Sequence, residues 1–285
     1  MFAKRLVSSI VLWAILLTVL FYLGTLASAL LCCLISTIAL WEFYDMLEKG
    51  GLRCAKFWGI SGGILLSAGA WWFSAHHLQF TATFEVLFLI CLVIGLFAYQ
   101  VLDRENPDPV QTIGNTLLGV VYVPWLFSFF PKIKYLYPGS DSPGWLLIFY
   151  LVVVTKFCDT GAYITGRMFG RHKMIPRISP NKTWEGVLGG IVIAVVASIT
   201  AFEYIKTRIH VSKVEFGYDD ALILGVLLGV LGTLGDLGES LFKREVHVKD
   251  SGEVLPGIGG ALDLIDSLLF TAPALYVYLV LFVRG

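Results

Sequence analysis

Charge is what this 285-residue chain has least of: Asp, Glu, Lys and Arg make up 15% of it, against about 25% in soluble domains. That leaves too little polar surface for a water-soluble fold. With 57% hydrophobic residues and a mean hydropathy of +0.78, a soluble enzyme and a disordered chain are both excluded. Net charge is missing too: 21 basic residues balance 21 acidic ones at a pI near 6.9, so no basic excess points to nucleic acid as a partner. No CxxC pair occurs among the five cysteines. Cys32, Cys33, Cys91 and Cys158 lie in apolar runs, where cysteine packs as a small hydrophobe, so neither a disulfide framework nor a zinc site is expected. No internal repeat stands out, which weighs against transporters built from duplicated halves.

What the chain does contain is long apolar runs. A span needs about 20 apolar residues to cross roughly 30 Å of hydrocarbon, and nine candidates occur, at 6–23, 25–44, 57–73, 82–101, 113–130, 145–166, 184–204, 221–241 and 260–283. The predicted fold is therefore all-α, a polytopic integral membrane bundle of about nine helices. Gly24 alone separates the first two runs, and one helix of their joint length would reach roughly 60 Å, twice the hydrocarbon core, so a tight hairpin is expected. Lys4, Arg5, an apolar stretch and Ala27-Ser28-Ala29 imitate a signal peptide. The run at 6–23 exceeds the usual core of about 7–15 residues and another follows at once, so the first helix is expected to be retained.

Lys and Arg set the orientation. With the N-terminus inside, fourteen of them face the cytoplasm, among them Lys49, Arg53, Arg171, Arg177, Lys182 and Lys243; six face outward, namely Lys132, Lys134, Lys206, Arg208, Lys213 and Arg284. The N-terminus is predicted to be cytoplasmic and the C-terminus, after nine spans, external. Residues 1–142, five helices with Glu85 as their conspicuous ionisable group, read as scaffold; residues 143–285, four helices, read as the catalytic region.

Ionisable groups at apolar depth carry the chemistry. Lys156 and Asp159 share a face of the sixth run at i and i+3, which also suits a plain structural ion pair. The eighth ends with Asp236, Glu239, Ser240 and Lys243 on one stripe, and the ninth opens with Asp263 and Asp266 on one face. Asp159, Asp236 and Asp263 fall within about 5–10 Å of the same predicted cytoplasmic boundary. Three such carboxylates repel one another unless a cation joins them, and oxygen donors without His or Cys select a hard ion, Mg²⁺ before Zn²⁺. A proton relay is the competing account. The loop between the sixth and seventh runs closes with Ser179-Pro180-Asn181-Lys182-Thr183 directly before a helix, the composition of an anion-binding helix start, and beside a metal site it suits polyphosphate.

Ser240 to Arg244, Lys249-Asp250-Ser251-Gly252, Leu255-Pro256-Gly257, Gly259-Gly260 and Asp263 to Asp266 closely resemble the signature of CDP-diacylglycerol synthases, the phosphatidate cytidylyltransferases. Ser179 to Gly186 and Gly235 to Ser240 resemble that family's other landmarks, so the match runs from about Lys156 to Ser267. Two positions depart from it: Ile258 stands where the family commonly has His, and Leu264 where it has Arg. The resemblance implies transfer of the cytidylyl group of CTP to phosphatidate in the plasma or inner membrane of a prokaryote, with the active site facing the cytoplasm. It implies Asp236, Asp263, Lys182 and Lys249 as catalytic residues, with Mg²⁺ on Asp236 and Asp263 and room for a second cation. Asp159, Asp266 and Glu239 are further metal candidates. Ser179, Asn181, Lys182, Thr183, Lys243, Arg244, Lys249 and Asp250 would bind substrate. CTP and membrane phosphatidate are the implied partners, and a homodimer is left open. A CTP-dependent polyprenol or phytol kinase is the alternative, and an ion or proton transporter a further one, although the outer halves of the sixth, eighth and ninth runs are almost wholly apolar.

Overall fold

The computed structural model describes residues 24–137, 144–208, 216–248, 251–252 and 259–283, and these are almost entirely helical. In chain order the helices are α1 (Gly24–Lys49), α2 (Lys56–His76), α3 (Leu78–Leu102), α4 (Pro109–Val120), a π turn (Val121–Trp125), α5 (Phe129–Lys134), α6 (Gly144–Phe169), α7 (Trp184–Arg208), α8 (Tyr218–Glu245) and α9 (Ala261–Phe282). Seven stretches among the described residues are long and apolar enough to cross a membrane: α1, α3, Pro109–Lys134, α6, α7, α8 and α9 up to Phe282. Large apolar side chains stand exposed along them, as at Leu26, Leu30 and Leu34, one helical turn apart on α1. Such a stripe fits lipid contact and not water. The chain is an all-α polytopic membrane protein.

The expected count of nine is not reproduced. The run at 6–23 lies outside the described residues. The run at 57–73 does form the 21-residue helix α2, but Ser61, Ser67, Ser74 and four glycines dilute its apolar content, and it is not among the seven. The run at 113–130 is not one regular helix either: Pro124 lacks an amide hydrogen, and the helix widens there into the π turn. Gly24 takes a φ of 76°, a glycine-favoured conformation, at the junction where the sequence calls for a hairpin.

The chain divides into two compact units, one of residues up to Lys132 together with Lys243–Ile265, the other of Ile133–Phe242 with Asp266–Gly285. These differ from a split at residue 142, because the segment carrying Lys243 and Asp263 packs with the N-terminal half. In the first unit Tyr44 is wholly buried on α1, and its hydroxyl donates to the Thr116 carbonyl at 2.7 Å. A Cβ at Gly59 or Gly119 would collide with its ring, so these glycines let α2 and α4 close on α1. Glu85 on α3 accepts from Ser128 at 2.8 Å and from Trp125 Nε1 at 3.2 Å, and pairs with Lys132 at 2.6 Å. In the second unit Gly161 of α6 faces Ile193, while Gly189 and Gly190 of α7 abut Thr165 and Ala162, a small-residue seam that brings the two backbones together.

Candidate active site

Residues 170–183, expected as a loop, form a short antiparallel ribbon of β1 (Lys173–Ile175) and β2 (Ser179–Thr183), with Lys173 opposite Thr183 and Ile175 opposite Ser179. Turn-forming Pro176 and the tight spacing allow the chain to fold back before α7. Glu185, in the first turn of α7, ties the ribbon down by accepting from the amides of Arg171 and His172 at 3.1 Å and contacting His172 Nδ1 at 2.5 Å. Thr183 caps α7, its hydroxyl accepting from the Gly186 amide at 3.2 Å. The helix start is therefore partly satisfied by the Thr183 hydroxyl.

Lys182 reaches α8, where its Nζ lies 2.7 Å from Asp236 Oδ2, an ion pair without hydrogen-bond geometry. Both line a cavity of about 410 Å³ shared with Asp159, Tyr163, Arg167 and Asn181, within the usual range for ligand sites. Asp159, Tyr163 and Arg167 succeed one another at four-residue steps on α6, and Arg167 donates to the Tyr163 hydroxyl at 3.2 Å. Arg167 is not among the site residues read from the sequence, although its i, i+4, i+8 spacing from Asp159 and Tyr163 is legible there. Ser179 is half-buried on the ribbon and Asn181 exposed.

Behind the cavity, Lys156 pairs with Asp159 at 3.3 Å and donates to Ser267 at 3.0 Å, while Ser267 donates to Asp159 at 3.2 Å. The structural ion pair that the spacing allowed is formed, and it belongs to a network with α9. A Cβ at Gly235 would fall 2.6 Å from the Asp266 carbonyl, so α8 and α9 touch at the residues that carry Asp236 and Asp266. Asp159 and Asp236 act electrostatically on Asp266, and all three act on Lys156. Glu239 is buried on α8.

In the other unit Asp263 opens α9. Its Oδ1 pairs with Lys243, and its Oδ2 accepts from Ser251 at 2.8 Å and from the Gly260 amide at 2.6 Å, the latter a capping contact. Arg244 is exposed. Lys249, Asp250 and Ile258 lie outside the described residues. Glu42, which the sequence reading passed over inside its second run, is wholly buried on α1 and accepts from the Leu262 amide at 2.9 Å.

The three acids predicted at one depth, Asp159, Asp236 and Asp263, are thus each paired with a lysine: Lys156, Lys182 and Lys243. Among the described residues no three His, Cys, Asp or Glu side chains converge as a metal-binding group, so the five-carboxylate set of Asp159, Asp236, Glu239, Asp263 and Asp266 does not make a closed cage. Mg²⁺ does not require one: it keeps several waters and takes one or two carboxylates, with substrate phosphates completing its shell. The oxygen-only donors Asp159, Asp236 and Asp266 of one unit fit that habit.

Fold and site together define a polytopic helical membrane protein with a cavity in which Lys182 and Arg167 stand beside Asp159 and Asp236. Residues 3–282 match the model of the Cytidylyltransferase family, and the chain belongs to that family. It is similar to the phosphatidate cytidylyltransferase of Bacillus subtilis (strain 168), with 37% identity over 278 residues, 95% of this chain and 96% of that protein. Its identity to the phosphatidate cytidylyltransferase of Staphylococcus haemolyticus (strain JCSC1435) is 32% over 250 residues, 85% and 87% of the two chains. With that of Staphylococcus saprophyticus subsp. saprophyticus it shares 35% over 267 residues, 90% and 91%.

Proposed function

We propose that this protein transfers the cytidylyl group of CTP to phosphatidate, giving CDP-diacylglycerol and pyrophosphate. Family membership and full-length relatives named for that activity support the reaction. The observation that carries the site assignment is the cavity in which Lys182, Arg167 and Asn181 stand beside Asp159 and Asp236. A triphosphate brings several negative charges, which the lysine and arginine attract and the Asn181 amide and Thr183 hydroxyl orient. As Lys182 turns to phosphate, Asp236 is released from its ion pair. A phosphatidate oxygen attacks the α-phosphorus, the bond from that phosphorus to the bridging oxygen breaks, and pyrophosphate leaves with its electron pair.

Mg²⁺ is the cofactor that suits these donors: Asp236 with Asp159 or Asp266 supplies carboxylates, and Asp263 is a separate candidate in the other unit. Bound there, the ion would offset charge on the phosphates. The excess of Lys and Arg supports a cytoplasmic N-terminus and a cavity open to the cytoplasm, where CTP is found; cysteine introduced at Arg177 should resist impermeant thiol reagents applied outside intact cells. The reaction is tested with purified protein, phosphatidate, Mg²⁺ and CTP labelled at the α-phosphate. Label is expected in the lipid phase with release of pyrophosphate. Label left in soluble CDP, with the γ-phosphate moved to a lipid alcohol, would replace this reading with a kinase.

A further inference from the structure

The glycines of the signature, at 252 and 260, face a residue more than two hundred positions away. Glu42 has no exposed surface, although it lies on an apolar helix of the N-terminal half. A buried carboxylate is costly unless it is hydrogen-bonded and charge-compensated, and its partners here are the first amides of α9. Oε2 accepts from Leu262 at 2.9 Å, the Ala261 amide also donates to the carboxylate, and Lys243 and Asp263 lie within electrostatic range. A helix N-terminus favours an anion. A Cβ at Gly252 would overlap Oε1, and one at Gly260 would crowd Oε2, so neither position can hold a larger residue without displacing the carboxylate. With Asp263 taking the Gly260 amide, the first N–H groups of α9 are occupied by two side-chain carboxylates and are not available to a substrate phosphate.

We propose that Glu42 is a positioning residue for the acidic start of α9: it fixes the angle at which Asp263 is presented, and Gly252 and Gly260 are small in order to admit it. The proposal rests on the reading of Asp263 as a site residue. The test uses full-length detergent-purified protein in three forms, Glu42→Gln, Gly252→Ala and Asp263→Asn, with hydrogen exchange of the 259–268 segment and steady-state kinetics read on each. In Glu42→Gln, exchange there should quicken by about tenfold, and kcat should fall by about ten- to a hundredfold, the range found when groups supporting a ligand are removed. The Michaelis constant for CTP should stay within about twofold, since Lys182 and Arg167 are untouched. Gly252→Ala should reproduce this pattern by pushing the carboxylate away, and it carries the test alone if Glu42→Gln does not fold. Unchanged exchange, or faster exchange with unchanged kcat, would overturn the proposal. Full activity in Asp263→Asn, with exchange still quickened in Glu42→Gln, would instead strike the assignment of Asp263 and leave the anchor standing.

Discussion

Two sets of ion-paired charges have opposite surroundings. In the first unit Glu85 and Lys132 are sealed, with side-chain exposures of 5% and 6%, and the carboxylate is held by Lys132, Trp125 and Ser128. In the second unit Lys182 and Asp236 are 21% and 39% exposed, Lys156 and Asp159 21% and 34%, and Lys182, Asp236 and Asp159 line an open cavity. The side-chain chemistry is the same in both places. Access separates a structural pair from one that can exchange partners with a ligand, because a sealed pair loses its compensation when either member leaves.

The largest effect should come from opening the comparison at its polar end. Asp236→Asn keeps the size of the side chain and removes the negative donor, and cytidylyl transfer is expected to drop by at least about a hundredfold in folded protein. Lys182→Ala should act less severely and on one substrate. Because Lys182 stands in the cavity on a polar ribbon, its loss should raise the Michaelis constant for CTP by about tenfold, the result of losing a charge-assisted contact, and should affect phosphatidate little. An effect confined to phosphatidate would reassign the lysine to the lipid phosphate.

The sealed pair should show the reverse pattern. Glu85→Gln strands the Lys132 ammonium and should destabilise the protein by about 3–5 kcal/mol, read as a lower melting temperature in detergent, while turnover per folded molecule stays near normal. Smallest of all, restoring Ile258→His with Leu264→Arg should not raise turnover, since Leu264 is half-buried on α9 and an arginine there would have to leave that place. A large gain would show that both family side chains are needed and that this chain works without them at a cost.

How much of this was legible beforehand depends on distance along the chain. Apolar runs are local, and so is the i, i+3 spacing that put Asp159 beside Lys156. The ribbon at 173–183 was missed because its strands are three and five residues long and carry no alternating apolar pattern. Glu42 was hidden inside an apolar run, and its partners lie beyond residue 250; no periodicity can report a contact of that separation. The pairing of Lys182 with Asp236 was equally non-local. Motif composition marked both residues as polar groups of one face, and only the fold shows that each occupies the other.

The most direct measurement compares the open and sealed acids in one experiment: a Mg²⁺ titration of cytidylyl transfer by wild type, Asp236→Asn and Glu85→Gln, each purified in detergent and shown to be folded. Asp236→Asn should both slow turnover by at least about a hundredfold and shift the Mg²⁺ dependence to higher concentration, whereas Glu85→Gln should follow the wild-type curve. Near-normal turnover with an unshifted Mg²⁺ dependence in Asp236→Asn would contradict Asp236 as a metal ligand.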